Sequence, residues 1–509
     1  MLVILRAPPS ASSPAIGSQT FREQALVRAS AMAGYLIVPV LCLFEGWSLA
    51  TNHAAIQLFI VVILVATLLS RVPWLSYPLL LGAVATVAFT SPSFGLTSSL
   101  DVSLAEVVLF VGLFAIHLSK NSRLPFTALD LSIAALLVTA IAGLAVGVDR
   151  GATLGEGLAD ARVLFFFSAF WPAADAFASA RSRRLLFHAA VGFACVTVTL
   201  QVLQIFVGPG RVLFYASDPF QELMTCSQGA CGSDVQGFIR VRPPGLMLVY
   251  IVCSFALCYL LWGPRRGRPR AFALFAVTFT GILLSLNRNM VIGLLLGILA
   301  AVLAVRQRRG LVTLSVATTV TLLVALAGTG VGGEVGKRIR SIGDLEGTAK
   351  SSSVADREYE NRLAVDAIIN DPIEGIGLGT SYGATTNDVS GNVVPRKWIH
   401  NQYLGLWLRT GLAGLLSWLV VLGTSLAYAT RWCRRNGNEP PWLGAGVVCA
   451  VVAFAASSVA GIYVLSVPSA VAFVGVIALA RSLGLESRVT QTVGRVRESS
   501  APPRGAFSS

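Results

Sequence analysis

The stretch PGLMLVYIVCSFALCYLLWG, residues 244–263, contains no charged side chain and is followed within a few residues by four arginines. An α-helix of about 20 apolar residues spans the hydrocarbon core of a bilayer. Runs of this kind recur along the chain, and 55% of its 509 residues are hydrophobic whereas only 13% are charged. This composition leaves too little polar surface for a soluble protein of this length. The sequence therefore predicts an all-α, polytopic helical membrane protein.

The apolar runs predict about 12–14 transmembrane helices. The candidate spans are residues 31–49, 56–70, 73–90, 103–119, 128–148, 163–180, 185–207, 244–263, 271–286, 289–305, 310–332, 400–429, 442–464 and 466–482. This set of spans can be tested with the arginine clusters between them, because cationic loops stay in the cytoplasm and should therefore fall on one side. The clusters that fall on one predicted side are 181–184, 265–270, 306–309 and 431–435. We expect both termini in the cytoplasm and two long external loops, at residues 208–243 and 333–399.

The two ends of the chain differ in composition from the apolar region between them. Residues 1–28 and 486–509 are rich in polar residues, serine and proline. This composition predicts disordered cytoplasmic tails around a membrane domain at residues 29–485. The formal net charge of +14 comes largely from arginines in short loops. It therefore indicates membrane topology, with lipids as neighbours, rather than a nucleic-acid partner.

Two of the eight cysteines, Cys226 and Cys231, lie in the first external loop. Their spacing, CSQGAC, permits a small disulfide in an oxidising compartment, and two free thiols are the alternative. The four histidines are scattered, and no CxxC or HxxxH spacing occurs. The sequence therefore predicts no metal site and no cofactor.

Cationic side chains also gather on the predicted external side. Arg288 interrupts two apolar runs in LLSLNRNMVIGLLLG, so it lies in a tight helix reversal where an unpaired charge is costly. Arg240 and Arg242 precede another span in FIRVRPPGLM. The simpler interpretation for any one arginine is pairing with a nearby acid. The acids in reach are Glu334, Asp344, Glu346, Asp356, Glu358, Glu360 and Asp366. As a group, these guanidinium ions suit a diphosphate, because each makes paired charge-assisted hydrogen bonds.

The second external loop contains one predicted helix, ADREYENRLAVDAIIND, residues 355–371. The residues expected to lie against the membrane domain are Leu363, Ala364, Ala367 and Ile368, with Arg362 beside that face. The following segment, DPIEGIGLGTSYG, contains Gly375, Gly377 and Gly379. No strand precedes these glycines and no Walker lysine follows them, so a sharp turn is favoured over a nucleotide-binding loop.

His400 directly precedes the apolar run of the next predicted span and follows Arg396 and Lys397. A neutral imidazole at the membrane rim can accept the proton of an attacking hydroxyl group. The two cations are expected to disfavour protonation of the ring, or instead to bind phosphate groups. An ordinary interfacial histidine, hydrogen-bonded to the backbone, is the alternative.

Taken together, four motifs resemble the O-antigen ligase and polymerase superfamily of membrane glycosyltransferases. The motifs are RPPGLM, SLNRNMVIGLLLG, RLAVDAIINDPIEGIGLG and HNQYLGLWLRTGLAGLL, within residues 240–430. The resemblance implies a GT-C-like helical fold and an undecaprenyl-diphosphate-linked glycan donor, used at the outer face of the cytoplasmic (inner) membrane without metal. It also implies that Arg242 and Arg288 hold the diphosphate, that Arg362 supports them and that His400 activates the acceptor.

Three functions are compatible with these motifs. The leading hypothesis is inverting polymerisation of surface polysaccharide, with one lipid-linked glycan as donor, another as acceptor, and a flippase and chain-length regulator as partners. A ligase would transfer finished glycan to a lipid or cell-wall acceptor. A transporter or non-catalytic scaffold would instead place polar residues and broken helices at the bilayer midplane. Glu374 and Arg409 depart from the family pattern, and Arg409 is expected to pair with Glu45 or Glu106 or to extend the phosphate-binding track.

Overall fold

The computed structural model describes residues 93–97, 100–103, 126–207, 243, 245–285, 287–305, 352–383, 385–387, 393–395, 399–434, 441–461 and 467–500. Within these ranges, only the backbone is described for residues 93–103, 288, 352–356, 385–395, 467–468 and 488–500.

Helices form the bulk of the described chain. The first group contains α1 (Ala128–Asp149), α2 (Leu154–Phe165), α3 (Phe170–Phe177) and α4 (Ala180–Val207), with a 3₁₀ helix at Phe166–Ala169. The second contains α5 (Leu246–Trp262), a 3₁₀ turn at Arg265–Gly267, α6 (Arg268–Leu284) and α7 (Arg288–Val305). The third contains α8 (Ser352–Asn370), α9 (Gln402–Cys433), α10 (Trp442–Ser457) and α11 (Val467–Ser500). Two short antiparallel hairpins pair β1 (Ser93–Thr97) with β2 (Leu100–Ser103) and β3 (Thr385–Asn387) with β4 (Val393–Pro395).

Several of these helices are long and apolar enough to cross a membrane. Among the described residues, the four that qualify are Ala128–Asp149, Ala180–Phe206, Gln402–Cys433 and Ser469–Ser487. Shorter apolar helices are Leu246–Trp262, Asn289–Val305 and Trp442–Ser457. The protein is an all-α polytopic membrane protein, as predicted. The predicted spans 31–49, 56–70, 73–90 and 310–332, and nearly all of 103–119, lie outside the described residues.

Two sequence-based expectations differ from the structure. The predicted span 163–180 is not one helix. The chain there forms α2, which begins at Leu154, then a 3₁₀ turn, and then α3, which ends at Phe177. The prediction of a disordered tail at residues 486–509 is wrong for residues 486–500, because α11 continues to Ser500. No proline interrupts α11 after Pro468, and Glu486 forms an ion pair with Arg183 at 2.6 Å. The composition of this segment therefore did not prevent helix formation.

The first and last described membrane helices are joined by a buried ion pair. Helix α1 begins at a capping box in which the backbone N–H of Thr127 donates to the Asp130 carboxylate at 2.8 Å. The same carboxylate oxygen accepts a hydrogen bond from Arg481 Nε of α11 at 2.9 Å, and both side chains are buried. A buried charge is tolerated when it is paired and hydrogen-bonded in this way.

Helices α7 and α10 approach closely through small residues. A Cβ at Gly293 or Gly297 would overlap the backbone carbonyl oxygens of Ala453 and Cys449 in α10. Glycines four residues apart lie on one face of a helix and allow membrane helices to pack at short distance. At the start of α7, Ser457 Oγ of α10 donates to a backbone carbonyl oxygen at 3.0 Å.

The helices have two ends with different chemistry. At one end, Trp442 of α10 makes ring contacts with Phe187 of α4 and Tyr259 of α5. These contacts place the arginine clusters 181–184, 265–270 and 431–434 at the same end of the bundle, which we call the arginine end. The cluster 306–309 lies outside the described residues. The opposite end contains the end of α1, helix α8 and the start of α9. We call it the His400 end.

Candidate active site

Helix α9 is interrupted close to its start by Gly411. This residue has φ 69° and ψ −176°, a conformation that is rare for residues with a Cβ. The backbone groups on either side of the interruption form hydrogen bonds with the segment that follows α8. Ile376 N–H donates to Leu408 O at 2.6 Å, and Leu412 N–H donates to Ile373 O at 3.0 Å. Since buried backbone groups need such partners, the segment and the start of α9 stabilise each other.

The glycine-rich segment is a docked turn, as predicted. The glycines with positive φ in it are Gly375, Gly377, Gly379 and Gly383. Leu378 N–H donates to Gly143 O of α1 at 2.8 Å, and Gly379 N–H donates to Asp160 Oδ2 of α2 at 2.9 Å. Because these amides bond to protein acceptors, the segment does not offer them as a cradle for phosphate.

Arg409 is buried in α9 and forms an ion pair with Asp160 of α2. The carboxylate oxygen that accepts from Gly379 also accepts from Arg409. One side chain thus joins α2, α9 and the glycine-rich turn. The partners expected from sequence, Glu45 and Glu106, lie outside the described residues, and Asp160 was not anticipated. Arg409 therefore stabilises the packing of α2, α9 and the glycine-rich turn.

A second ion pair fixes the same turn at the surface. Arg150 Nη1, just after α1, lies 2.6 Å from Asp371 Oδ2, just after α8. The hydrogen bond from Arg150 lowers the pKa of the Asp371 carboxyl and raises the pKa of the guanidinium. Both side chains are partly exposed, so the pair contributes less to stability than the buried contact of Arg409.

Helix α8 lies on the start of α9 through one apolar face. As predicted, Ala364 and Ile368 are buried, and Leu363 and Ala367 are partly buried. The cluster they form with the rest of the chain includes Ile399, Leu408 and Tyr382. Burial raises the pKa of Tyr382 to about 12, so its phenol stays neutral near physiological pH.

Glu360 lies on the same face of α8, one turn before Ala364, and only 1% of its side chain is exposed. Its Oε2 accepts a hydrogen bond from the backbone N–H of His400 at 3.2 Å and lies 2.8 Å from His400 Nδ1. The His400 side chain is 31% exposed. A carboxylate at Nδ1 favours the tautomer with its proton on that nitrogen, which makes Nε2 the basic nitrogen of the ring.

The start of α7 and the start of α9 both contact the end of α10. Asn289 Nδ2, one residue after Arg288, donates to Ala460 O at 2.8 Å. Gln402 N–H, two residues after His400, donates to Ser458 O at 3.1 Å. Arg288 and His400 are therefore brought to the same place at the His400 end. Neither residue is near the other in sequence.

Helix α5 also begins at this place. Tyr250 Oη of α5 donates to Met290 O in the first turn of α7 at 2.7 Å. The described chain resumes at Pro243, immediately after Arg242. Three helix starts thus meet at one end of the bundle, and the partial positive charge of helix N-termini favours anions.

The other predicted site residues are only partly covered by the structure. Arg362 is exposed on α8, and residues two apart project from different sides of a helix, so Glu360 rather than Arg362 faces His400. The residues outside the described ranges are Arg240, Arg242, Arg396, Lys397, Cys226 and Cys231. Among the described residues, no group of three His, Cys, Asp or Glu side chains could hold a metal ion.

Sequence reasoning missed two residues of this region, Glu360 and Asp160. In the sequence, Glu360 is one of several acids predicted on the external side. Its position in the apolar stripe of α8, one turn before Ala364, is the signal that could have identified a buried carboxylate. No signal of this kind marks Asp160, because its partners lie more than two hundred residues away.

Residues 272–419 match the family described as O-antigen ligase. This region of the chain is therefore similar to O-antigen ligases. The match lies within the predicted core, residues 240–430, and contains Arg288, Glu360 and His400. It confirms the resemblance to the O-antigen ligase and polymerase superfamily and supports a membrane glycosyltransferase that acts on lipid-linked glycans. Among curated proteins, none matches the chain.

Proposed function

We propose that the protein transfers a glycan from undecaprenyl diphosphate to a sugar hydroxyl of a second lipid-linked glycan, and so polymerises a surface polysaccharide. The observation that carries this proposal is the meeting of Arg288 and His400 at the end of α10, through contacts of 2.8 Å at Asn289 and 3.1 Å at Gln402. A cation for the leaving group and a base for the acceptor are the two groups that this transfer needs.

The reaction is a single displacement. The acceptor oxygen forms a bond to the anomeric carbon, its proton passes to His400 Nε2, and the bond between that carbon and the diphosphate oxygen breaks. Undecaprenyl diphosphate leaves with the bonding electron pair, and the anomeric configuration is inverted. Arg242 and Arg288 stabilise the negative charge that develops on the leaving group. His400 then loses its extra proton to water.

The two ends of the bundle support a proposed location of the site. Arginine clusters face the cytoplasm in membrane proteins, so the arginine end is assigned to the cytoplasmic side of the inner membrane. The His400 end then faces outward, and both termini lie in the cytoplasm. A donor activated before export suits this face, because nucleotide sugars are confined to the cytoplasm. Arg240, Arg396 and Lys397 are proposed to extend the cationic surface for the diphosphate.

Ligation is the second candidate, favoured by the description of the matching family. It uses the same donor, the same leaving group and the same base, but the acceptor is a lipid or cell-wall component. The two activities give different products. A polymerase converts a single lipid-linked repeat unit into a ladder of longer chains, whereas a ligase gives one product only when its distinct acceptor is added.

The test is transfer by protein in nanodiscs supplied with a synthetic undecaprenyl diphosphate glycan and no added metal. Wild type is expected to transfer the glycan, with or without a chelator. Arg288→Ala is expected to abolish transfer, and Arg288→Lys to retain a small part, because lysine keeps the charge but loses the planar fork.

Arg270→Ala is the matched control, since it removes an exposed arginine at the arginine end. It should retain wild-type transfer. Full activity of Arg288→Ala, or equal loss in both variants, would contradict the assignment of the diphosphate site.

A further inference from the structure

We propose that Glu360 is a positioning residue that orients His400 and stabilises the protonated ring during glycosyl transfer. This role rests on the proposed function and adds a specific residue to it. Glu360 reaches His400 through two contacts, at 2.8 Å to Nδ1 and at 3.2 Å to the backbone N–H. The first fixes the rotation and tautomer of the ring, and the second fixes the position of the residue that carries it.

The second observation is the buried position of Glu360. It lies in the apolar stripe of α8, with Ala364 and Ile368 at the following turns, and its side chain is almost fully buried. An ionised carboxylate in such a place requires a partner that offsets the loss of hydration. The His400 ring, with Nδ1 2.8 Å from Oε2, is one such partner.

A histidine paired in this way becomes a better proton acceptor. When Nε2 takes the proton of the acceptor hydroxyl, the ring becomes positive and lies 2.8 Å from a fixed negative charge. The ion pair then forms during the reaction step, so Glu360 lowers the barrier rather than the energy of the resting state. The balance of the reaction is unchanged, because the proton remains on His400 and Glu360 stays ionised.

The described elements packed here carry other charged or titratable groups. They are Arg357, Glu358, Arg362 and Asp366 of α8, Tyr382 of the turn, Tyr403 and Arg409 of α9, and Arg288 at the start of α7. The arginines keep their charge at any assay pH. Tyr382 stays neutral because burial raises its pKa to about 12. Tyr403 donates its hydroxyl to Ala455 O at 2.8 Å.

The competing interpretation is that Glu360 only attaches α8 to the start of α9. Glu360→Gln separates the two roles, because the amide oxygen can still accept both hydrogen bonds but carries no charge. A purely structural role predicts wild-type kinetics for this variant. The proposed role predicts that kcat falls roughly tenfold to hundredfold, a part of the 10²–10⁴-fold that general-base catalysis supplies. The KM for the donor should stay unchanged.

The pH dependence gives a second readout. The carboxylate favours the protonated ring, so its removal should move the acid limb of kcat to lower pH. Glu360→Asp keeps the charge with a shorter reach and should retain the wild-type profile at a reduced rate. Glu358→Gln is the matched control, because Glu358 is an exposed acid two residues away on the same helix. Its rate and profile should equal those of wild type.

The experiment therefore measures kcat, KM and the pH profile for wild type, Glu360→Gln, Glu360→Asp, Glu358→Gln and His400→Gln. In parallel, NMR of ¹³C-histidine-labelled protein follows the titration of His400, assigned by its absence in His400→Gln. The midpoint should move to lower pH in Glu360→Gln and remain in place in Glu358→Gln. This readout needs no turnover, so it tests the pairing even where transfer fails.

The outcomes separate this proposal from the proposed function. If His400→Gln is inactive while Glu360→Gln keeps the wild-type rate, profile and titration midpoint, the role of Glu360 is overturned and the proposed function stands. If His400→Gln transfers as fast as wild type, His400 is not the base. The proposed role of Glu360 in transfer is then overturned as well. A tenfold or greater loss in Glu360→Gln, with the shifted profile and midpoint, supports both.

Discussion

At Gly147 the backbone of α1 lies directly against the carbonyl oxygen of Leu378, in the glycine-rich turn. A Cβ at this position would overlap that oxygen, which belongs to the backbone and cannot rotate away. Gly147→Ala should therefore displace the turn and lower the free energy of unfolding by about 1–3 kcal/mol, the usual cost of overpacking. Thermal unfolding in detergent and the transfer rate measure the effect.

Gly192→Ala in α4 is the control for that substitution. A Cβ there meets no atom within 4 Å, and alanine is favoured over glycine in a helix by up to about 1 kcal/mol. This variant should be as stable as wild type or slightly more stable. Equal melting temperatures for the two variants would show that the close approach at Gly147 does not limit docking of the turn.

At the scale of elements, the turn between α8 and β3 is held by the Asp160 carboxylate, which joins α2, α9 and the turn itself. Asp160→Leu leaves the buried Arg409 without its carboxylate and should cost up to about 3 kcal/mol in stability. The double variant Asp160→Leu/Arg409→Leu should recover part of that loss, because no buried charge remains. Thermal unfolding and limited proteolysis near residues 371–383 report the change.

Arg150→Gln provides the comparison for that pair. It removes the partly exposed contact with Asp371 and should have a much smaller effect on the melting temperature. A larger effect for Arg150→Gln than for Asp160→Leu would place the main anchor of the turn at the surface instead of in the interior.

Most of the membrane helices, but not the contacts between them, could be predicted from the sequence. The apolar runs predicted α1, α4, α5, α6, α7, α9 and α10, because helices in a membrane need long uncharged segments. The break of α9 at Gly411 was not predicted, since it depends on hydrogen bonds in which Ile373 O accepts and Ile376 N–H donates. The pairing of Glu360 with His400 could not be predicted either, because it requires the packing of α8 on α9. His400 itself was identifiable from its position at the start of an apolar run.

At the scale of the whole molecule, the two ends of the bundle separate two tasks. The arginine end carries the clusters on which the proposed orientation in the membrane rests, and the His400 end contains the starts of α5, α7 and α9. The proposed function depends on one step at this second end, in which His400 accepts the proton of the acceptor hydroxyl.

The most direct measurement is single-turnover transfer from a fluorescent undecaprenyl diphosphate glycan by wild type and His400→Gln in nanodiscs. Donor binding is measured in the same samples. The account predicts that His400→Gln binds the donor as wild type does and transfers it about 10²–10⁴-fold more slowly. Equal rates of transfer in the two proteins, at equal donor occupancy, would contradict it.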